Sequence, residues 1–348
     1  MSDISNLRLP YSLSGKALLA AVLLLMFFIF PFVSSIIFLG ALSLYSATGR
    51  NYSRFIVSTV IVLSIAPFVA LKTGMPYVGN DKFQYIGYIN HFQVGGFMDV
   101  ISIHPEVVSF GLMYVSSIFE NVDIVFYVIF VISIIGLIHA SYFFDKKSMP
   151  FFILLLLASS IFLNLYGNLI RQGLALSFCA LLFFDVKEKN KYIWCILAVF
   201  SHFTSVLIIC CYFLGRRIKA LPLRLILLIY IIAFAASYQL IGILEEFANS
   251  SDSLLGAKSQ LYTAWEEIDV SSSKTTFFLL TFFLIVGEGL RSFTNIFAPV
   301  DNAWLYRVVI LIGAFLLGFS QVDKIFERFY IYYYIFSLMY ISCLVYSI

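Results

Sequence analysis

The sequence predicts an all-α, polytopic integral membrane protein: a bundle of about eleven transmembrane helices (range about 10–12), with a re-entrant or amphipathic extracytoplasmic loop region. Three observations predict it. Hydrophobic residues make up 61% of the 348-residue chain and charged residues 12%, where a soluble protein carries about 25% charged residues. The mean hydropathy is +0.97. Apolar runs recur along the whole length, many near the ~20 residues a helix needs to cross hydrocarbon. No hydrophilic block is long enough for a soluble domain, so residues 1–348 read as one membrane domain.

The first run, 17–47, follows Arg8 and Lys16. It is far longer than a signal-peptide core and lacks a small-x-small cleavage site, so it reads as a retained anchor. It forms one tilted helix or two short ones broken at Pro31. Runs at 55–71, 107–119, 122–144, 149–165, 168–185, 191–214, 222–243, 275–293, 303–320 and 327–347 follow, of which 107–119 is short for a span. The chain has no internal repeat, low-complexity tract or inverted-half symmetry of the kind transporters carry. Cys179, Cys195, Cys210, Cys211 and Cys343 lie inside apolar runs without a CxxC spacing, so they read as small hydrophobes rather than zinc ligands or a disulfide framework. The formal charge of +3 is scattered, which gives no nucleic-acid surface.

Orientation follows from the basic connections. Residues 145–147 (DKK), 187–191 (KEKNK) and 215–224 (GRRIKALPLR) all ask for the cytoplasmic side. With one crossing per run the first two share a side and the third lies opposite. Either a run in this region is re-entrant or broken, or one cluster faces outward to handle an anion.

Two polar segments interrupt the apolar pattern, and the family resemblance that follows implies that both are extracytoplasmic substrate loops. Residues 72–106 contain KTGMPYVGNDKFQYIGYINHF, with Lys72, Asp81 and Tyr85 among aromatics. Residues 244–274 are serine-rich and net acidic. Polar groups inside apolar runs cost several kcal/mol unless they pair or line a wet cavity. Arg171 and Gln172 in LYGNLIRQGLALSF and His202 in AVFSHFTSVLI are the sharpest cases. Glu288, Arg291, Arg307, Glu327 and Arg328 lie nearer run ends, where snorkelling is the ordinary explanation.

The chain lacks HExxH, P-loop, GxSxG, GxGxxG and DxD patterns, so zinc hydrolysis, nucleotide-driven transport, a serine elbow and dinucleotide binding have no support. What remains is arginines, a histidine and isolated carboxylates beside aromatic segments. Guanidinium forks grip phosphate oxygens, aromatic faces pack on sugar rings, and a carboxylate or imidazole takes a hydroxyl proton.

Five segments in order carry a resemblance. VGNDKFQYIGYI resembles a G-x-D-Y-x-x-Y segment, HPEVVSFGLMYVSSIF an E-x-G-F-like helix start, and LIRQGLALSF an I-R-Q-x-[LI]-A signature. AVFSHFTSVLI resembles A-x-x-x-H-x-[ST]-A-[LI], and FERFYIYYYIF a closing arginine-plus-tyrosine helix. Together they resemble the EpsG-like, Wzy-type polysaccharide repeat-unit polymerases over nearly the whole chain. Phe83, Lys72 and Val206 depart from the usual tyrosine, arginine and alanine.

The resemblance implies a bacterial inner-membrane enzyme with its active site facing the periplasm. It would move a growing glycan from undecaprenyl diphosphate onto the sugar of the next lipid-linked repeat unit, building O-antigen or a related surface polysaccharide. The diphosphate leaving group supplies the energy, so no cofactor or metal is expected. The expected partners are the lipid-linked donor and acceptor, the bilayer and a chain-length regulator protein. Arg171 and Arg328 are expected to clamp the diphosphate, with Gln172, Tyr85 and Lys72 also on the substrate. Asp81 is the first choice for base, with Glu106 and His202 as rivals. A flippase and an O-antigen ligase are the alternatives: the first should show repeat symmetry, and the second differs in its acceptor.

Overall fold

Asn121 opens the longest of the candidate membrane spans, Val122–Phe144, by accepting a hydrogen bond from the Asp123 N–H at 2.9 Å. The same local rules set the other boundaries. In this computed structural model, which describes residues 25–27, 29–72, 81–185, 187–219, 221–249, 271–294 and 303–347, the helices are α1 (Pro31–Ala47), α2 (Arg54–Lys72), α3 (Asp81–Gln93), α4 (Phe97–Ile103) and α5 (Val107–Ser117). They continue as α6 (Val122–Phe144), α7 (Met149–Leu157), α8 (Ser160–Gly167), α9 (Ile170–Phe184), α10 (Lys191–Ser201) and α11 (Ser205–Arg217). The last four are α12 (Leu223–Asn249), α13 (Ser271–Thr294), α14 (Ala303–Gly318) and α15 (Asp323–Ser347). Pro31 opens α1, where its missing N–H costs nothing.

The all-helical expectation holds among the described residues, and the boundaries fall close to the apolar runs. The count of about eleven single spans is not confirmed. Among the described residues, three helices are long and apolar enough to cross a membrane, within α6, α13 and α15, α7 with α8 makes a fourth if that bent pair is one span, and several shorter apolar helices accompany them. The run expected at 149–165 is broken at Ala158–Ser159 and bends by 82°. The break itself has no Pro or Gly, but Ser159 is extended and its hydroxyl donates to the Leu156 carbonyl at 2.7 Å, a local bond that competes with the helix. The run expected at 191–214 is broken at His202, also extended.

Within the 72–106 segment, residues 81–103 form α3 and α4 rather than a loop. Asp81 opens α3 with its charge at the positive end of the helix dipole. Gly95, at φ +94°, turns the chain from α3 into α4, a conformation that asks for glycine. Residues 73–80 lie outside the described residues. So do 250–270 of the acidic 244–274 segment, whose flanks are the end of α12 and the start of α13. The early part of the 17–47 run, residues 17–24 and 28, also falls outside.

Helix α9 is the axis of the bundle. Every residue in it except Arg171 is buried, and it packs against α6, α8, α10 and α11. From Arg171 to Phe184 it rises about 20 Å at 1.5 Å per residue, so its two ends define two levels. At the Phe184 end, Phe144 meets Phe184 at 4.7 Å between ring centroids, which brings the ends of α6 and α9 together. Trp194 donates to Asp185 at 2.7 Å, placing the start of α10 there. Partial burial works against the Asp185 carboxylate, but the Lys187 N–H, Trp194 and Asn190 hold it below its ordinary pKa. Tyr212 of α11 stacks on Phe183 at 4.6 Å, and Arg216 lies over Trp304. Helices α10 and α11 therefore form a hairpin that leaves and returns to one level, with residues 202–204 at its tip.

The hairpin removes the orientation conflict. Residues 145–147, 187–191 and 215–217 gather at one end of the bundle. The α1–α2 connection joins them: Tyr52 donates to the Lys146 carbonyl, Lys146 to Asn51 at 2.5 Å and Ser46 to the Lys147 carbonyl at 2.8 Å. Arg54 lies over the Tyr142 and Phe143 rings. Of the two branches the sequence left open, a broken run is the one that occurs.

Candidate functional site

The opposite end of α9 begins with Arg171, and the site is built outward from it. Its guanidinium donates from Nη1 to Glu106 Oε2 and from Nε to the Tyr85 hydroxyl at 3.1 Å. It lies over the rings of Tyr85 and Phe110, at 5.2 and 5.0 Å. An arginine forced into a largely apolar interior thus has an anion, a hydroxyl and two π faces around it.

Glu106 occupies the N-cap position of α5 but its side chain does not cap that helix. Instead Oε1 takes His202 Nδ1 at 2.7 Å and the Phe203 N–H at 3.4 Å, while Oε2 takes Arg171. The break at His202 frees backbone groups that lipid would leave unsatisfied. Glu106 holds the Phe203 N–H, and Ser109, one turn into α5, donates to the Ser201 carbonyl at 2.6 Å. Glu106 and His202 are 8% and 7% exposed, so this network is enclosed. His202 Nε2 is buried without a protein partner.

A second ion pair lies beside the first. Arg328, near the start of α15, donates to Asp81 Oδ2 at 3.1 Å. Gln172 Nε2 donates to the Arg328 carbonyl, while Gln172 Oε1 is buried without a partner. Asp81, Tyr85, Glu106, Arg171, Gln172, His202 and Arg328 are drawn from five separate stretches of chain and converge on one cluster. Lys72 ends α2, and its side chain is outside the described residues.

Two other charged run-end residues, Glu288 and Arg307, lie elsewhere. Tyr340 donates to Glu288 at 2.5 Å, and Arg307 Nε donates to the Gly215 carbonyl at 3.0 Å, at the basic end. The side chain of Arg291 is outside the described residues. Four contributors were not singled out by sequence reasoning: Phe110 under Arg171, Ser109 on the broken backbone, and Thr204 and Tyr332, whose hydroxyls meet at 3.5 Å. All four sit inside the quoted motif segments, so proximity to the motif was the available signal.

This fold and cluster define a helical membrane protein with paired guanidiniums and an imidazole enclosed at one end of its bundle, a set suited to a phosphate-bearing lipid and a hydroxyl. The chain belongs to the EpsG family, a Wzy-like polymerase family whose model matches residues 55–348. No curated protein and no solved structure matches it.

Proposed function

We propose that this EpsG-family protein polymerises undecaprenyl-diphosphate-linked oligosaccharide repeat units by glycosyl transfer on the periplasmic face of the bacterial inner membrane. The observation that carries the reading is the pairing of both candidate clamp arginines with carboxylates in one enclosed cluster, at the end of α9 away from every basic connection described above. By the positive-inside rule the basic end is cytoplasmic, so the cluster lies towards the other leaflet. A lipid diphosphate brings phosphate oxygens that compete with Glu106 and Asp81 for Arg171 and Arg328. The exchange replaces one charge-assisted pair by another, which limits the desolvation cost.

The reaction is a displacement at the anomeric carbon with lipid diphosphate as leaving group. The two guanidiniums stabilise the charge that develops on the departing oxygen. Tyr85 is 1% exposed and lies under Arg171, so its role is to position that arginine rather than to stack on sugar.

The test is the glycan profile of a deletion strain on a gel. Loss of the long ladder with a single capped repeat unit retained is the expected result. Loss of that single unit as well overturns the reading in favour of flipping or ligation.

A further inference from the structure

We infer that His202, oriented by Glu106, takes the proton of the acceptor sugar hydroxyl at Nε2, and that Gln172 Oε1 and Ser205 Oγ help hold that hydroxyl. The inference rests on the polymerase reading above and assigns its acceptor-side chemistry. Glu106 is ion-paired with Arg171 and therefore an acceptor, so Nδ1 of His202 is the donor at 2.7 Å and Nε2 of the neutral ring carries the lone pair. A carboxylate on one nitrogen and a free lone pair on the other is the arrangement of an oriented general base.

Three buried side-chain atoms in this region lack a protein partner: His202 Nε2, Gln172 Oε1 and Ser205 Oγ. Gln172 is tied to the carbonyl of Arg328, and Thr204, next to Ser205, meets Tyr332. Arg328 and Tyr332 are four residues apart on α15, one helical turn, so Gln172 and Thr204 meet the same stretch of that helix. Ser205 also donates its N–H to the His202 carbonyl at 3.0 Å. A buried polar atom without a partner is costly, and three together fit a small hydroxylic ligand.

Asp81 is less suited to this role because its carboxylate faces Arg328. In the step itself the acceptor O–H bond breaks towards Nε2 while its oxygen bonds to the anomeric carbon. The anomeric C–O bond breaks and its electron pair leaves on the lipid diphosphate, held by Arg171 and Arg328. The imidazolium then loses its proton to water, which restores the base. Glu106 acts through His202 and is a positioning residue. The charged groups facing His202 are Glu106, Arg171 and Arg328.

The experiment is turnover of the purified full-length protein with synthetic lipid-diphosphate-linked repeat units, read as product length across pH. His202→Gln should lower elongation by about 10²- to 10⁴-fold and lose the acid limb of the wild-type profile. His202→Ala should regain part of its rate when imidazole is added, a response that a purely structural histidine does not give. Glu106→Gln should retain more activity than His202→Gln and shift the acid limb. If His202→Gln elongates within threefold of wild type, or keeps the acid limb, the inference is overturned. Failure of imidazole to restore any activity to His202→Ala also counts against it. If the wild-type protein itself joins no repeat units, the polymerase reading fails instead.

Discussion

The two ends of the bundle handle positive charge in opposite ways. At the basic end, Lys146, Lys147, Lys187 and Lys189 lie in short connections, and Lys146 and Arg54 are met by an amide oxygen and by rings. At the other end Arg171 and Arg328 have side chains only 12% and 16% exposed, and each is paired with a carboxylate brought from a distant part of the chain. Water solvates the first group at little cost. The second group exists in apolar surroundings only because its counter-ions are built in, and an anion that displaces those counter-ions meets cations already desolvated. The comparison teaches that location by number along a run is a poor guide to role: Arg328 lies near a helix end, where snorkelling is ordinary, yet its guanidinium turns inward to Asp81.

The largest effect is expected at Arg171. Arg171→Ala should abolish polymer and leave Glu106 buried without its cation, a loss on the order of 3–5 kcal/mol for a broken buried pair. Arg171→Lys should rescue poorly because an ammonium offers no planar fork. Thermal unfolding and the glycan ladder read the two losses separately. Arg171→Met combined with Glu106→Gln should recover much of the stability and none of the polymer; recovery of polymer would remove Arg171 from the chemistry.

Labelling tests whether the ends face opposite compartments. In a cysteine-free background, a cysteine at Met98, which is exposed beyond the site, should react with an impermeant thiol reagent in intact spheroplasts. One at Lys189 should react only after lysis. Reaction of both in intact cells would collapse the distinction between the ends.

A smaller effect is expected at the second ion pair. Asp81→Asn keeps the shape but weakens a charge-assisted hydrogen bond of about 1.5–3 kcal/mol, so elongation should fall by about 10- to 100-fold, more in KM than in kcat. If Asp81→Asn instead removes the acid limb of kcat, Asp81 is the base and His202 a structural contact. The smallest effect is at the basic end, where Lys146→Ala should change stability by no more than about 0.5 kcal/mol. A loss as large as that of Arg171→Ala would mean that this end too is organised around its charges.

Much of the cluster was legible in the sequence because apolar surroundings make each charge conspicuous. Arg171, Gln172 and His202 stand out against LYGNLIRQGLALSF and AVFSHFTSVLI for that reason, and Asp81 and Tyr85 stand out as the polar start of an aromatic stretch. What each group touches was not legible. Glu106 was weighed as a rival base, whereas its two oxygens are divided between Arg171 and the His202–Phe203 break. Tyr85 was expected on sugar and lies beneath a guanidinium.

Composition and run length alone determined that this chain is a helical membrane protein, since backbone polar groups in hydrocarbon are satisfied within helices or closed barrels. They also placed most helix boundaries, because Pro, Asn and Ser act on their own neighbours. Only the tertiary structure decided which apolar runs stay whole. A twenty-residue run reads the same whether it crosses once or folds back, and the 191–214 run folds back because Glu106 and Ser109, nearly a hundred residues earlier, satisfy the N–H and carbonyl that the turn at His202 exposes. That choice set all three basic clusters on one side and the enclosed arginines on the other, and it depends on partners too far apart in the chain for any local pattern to record.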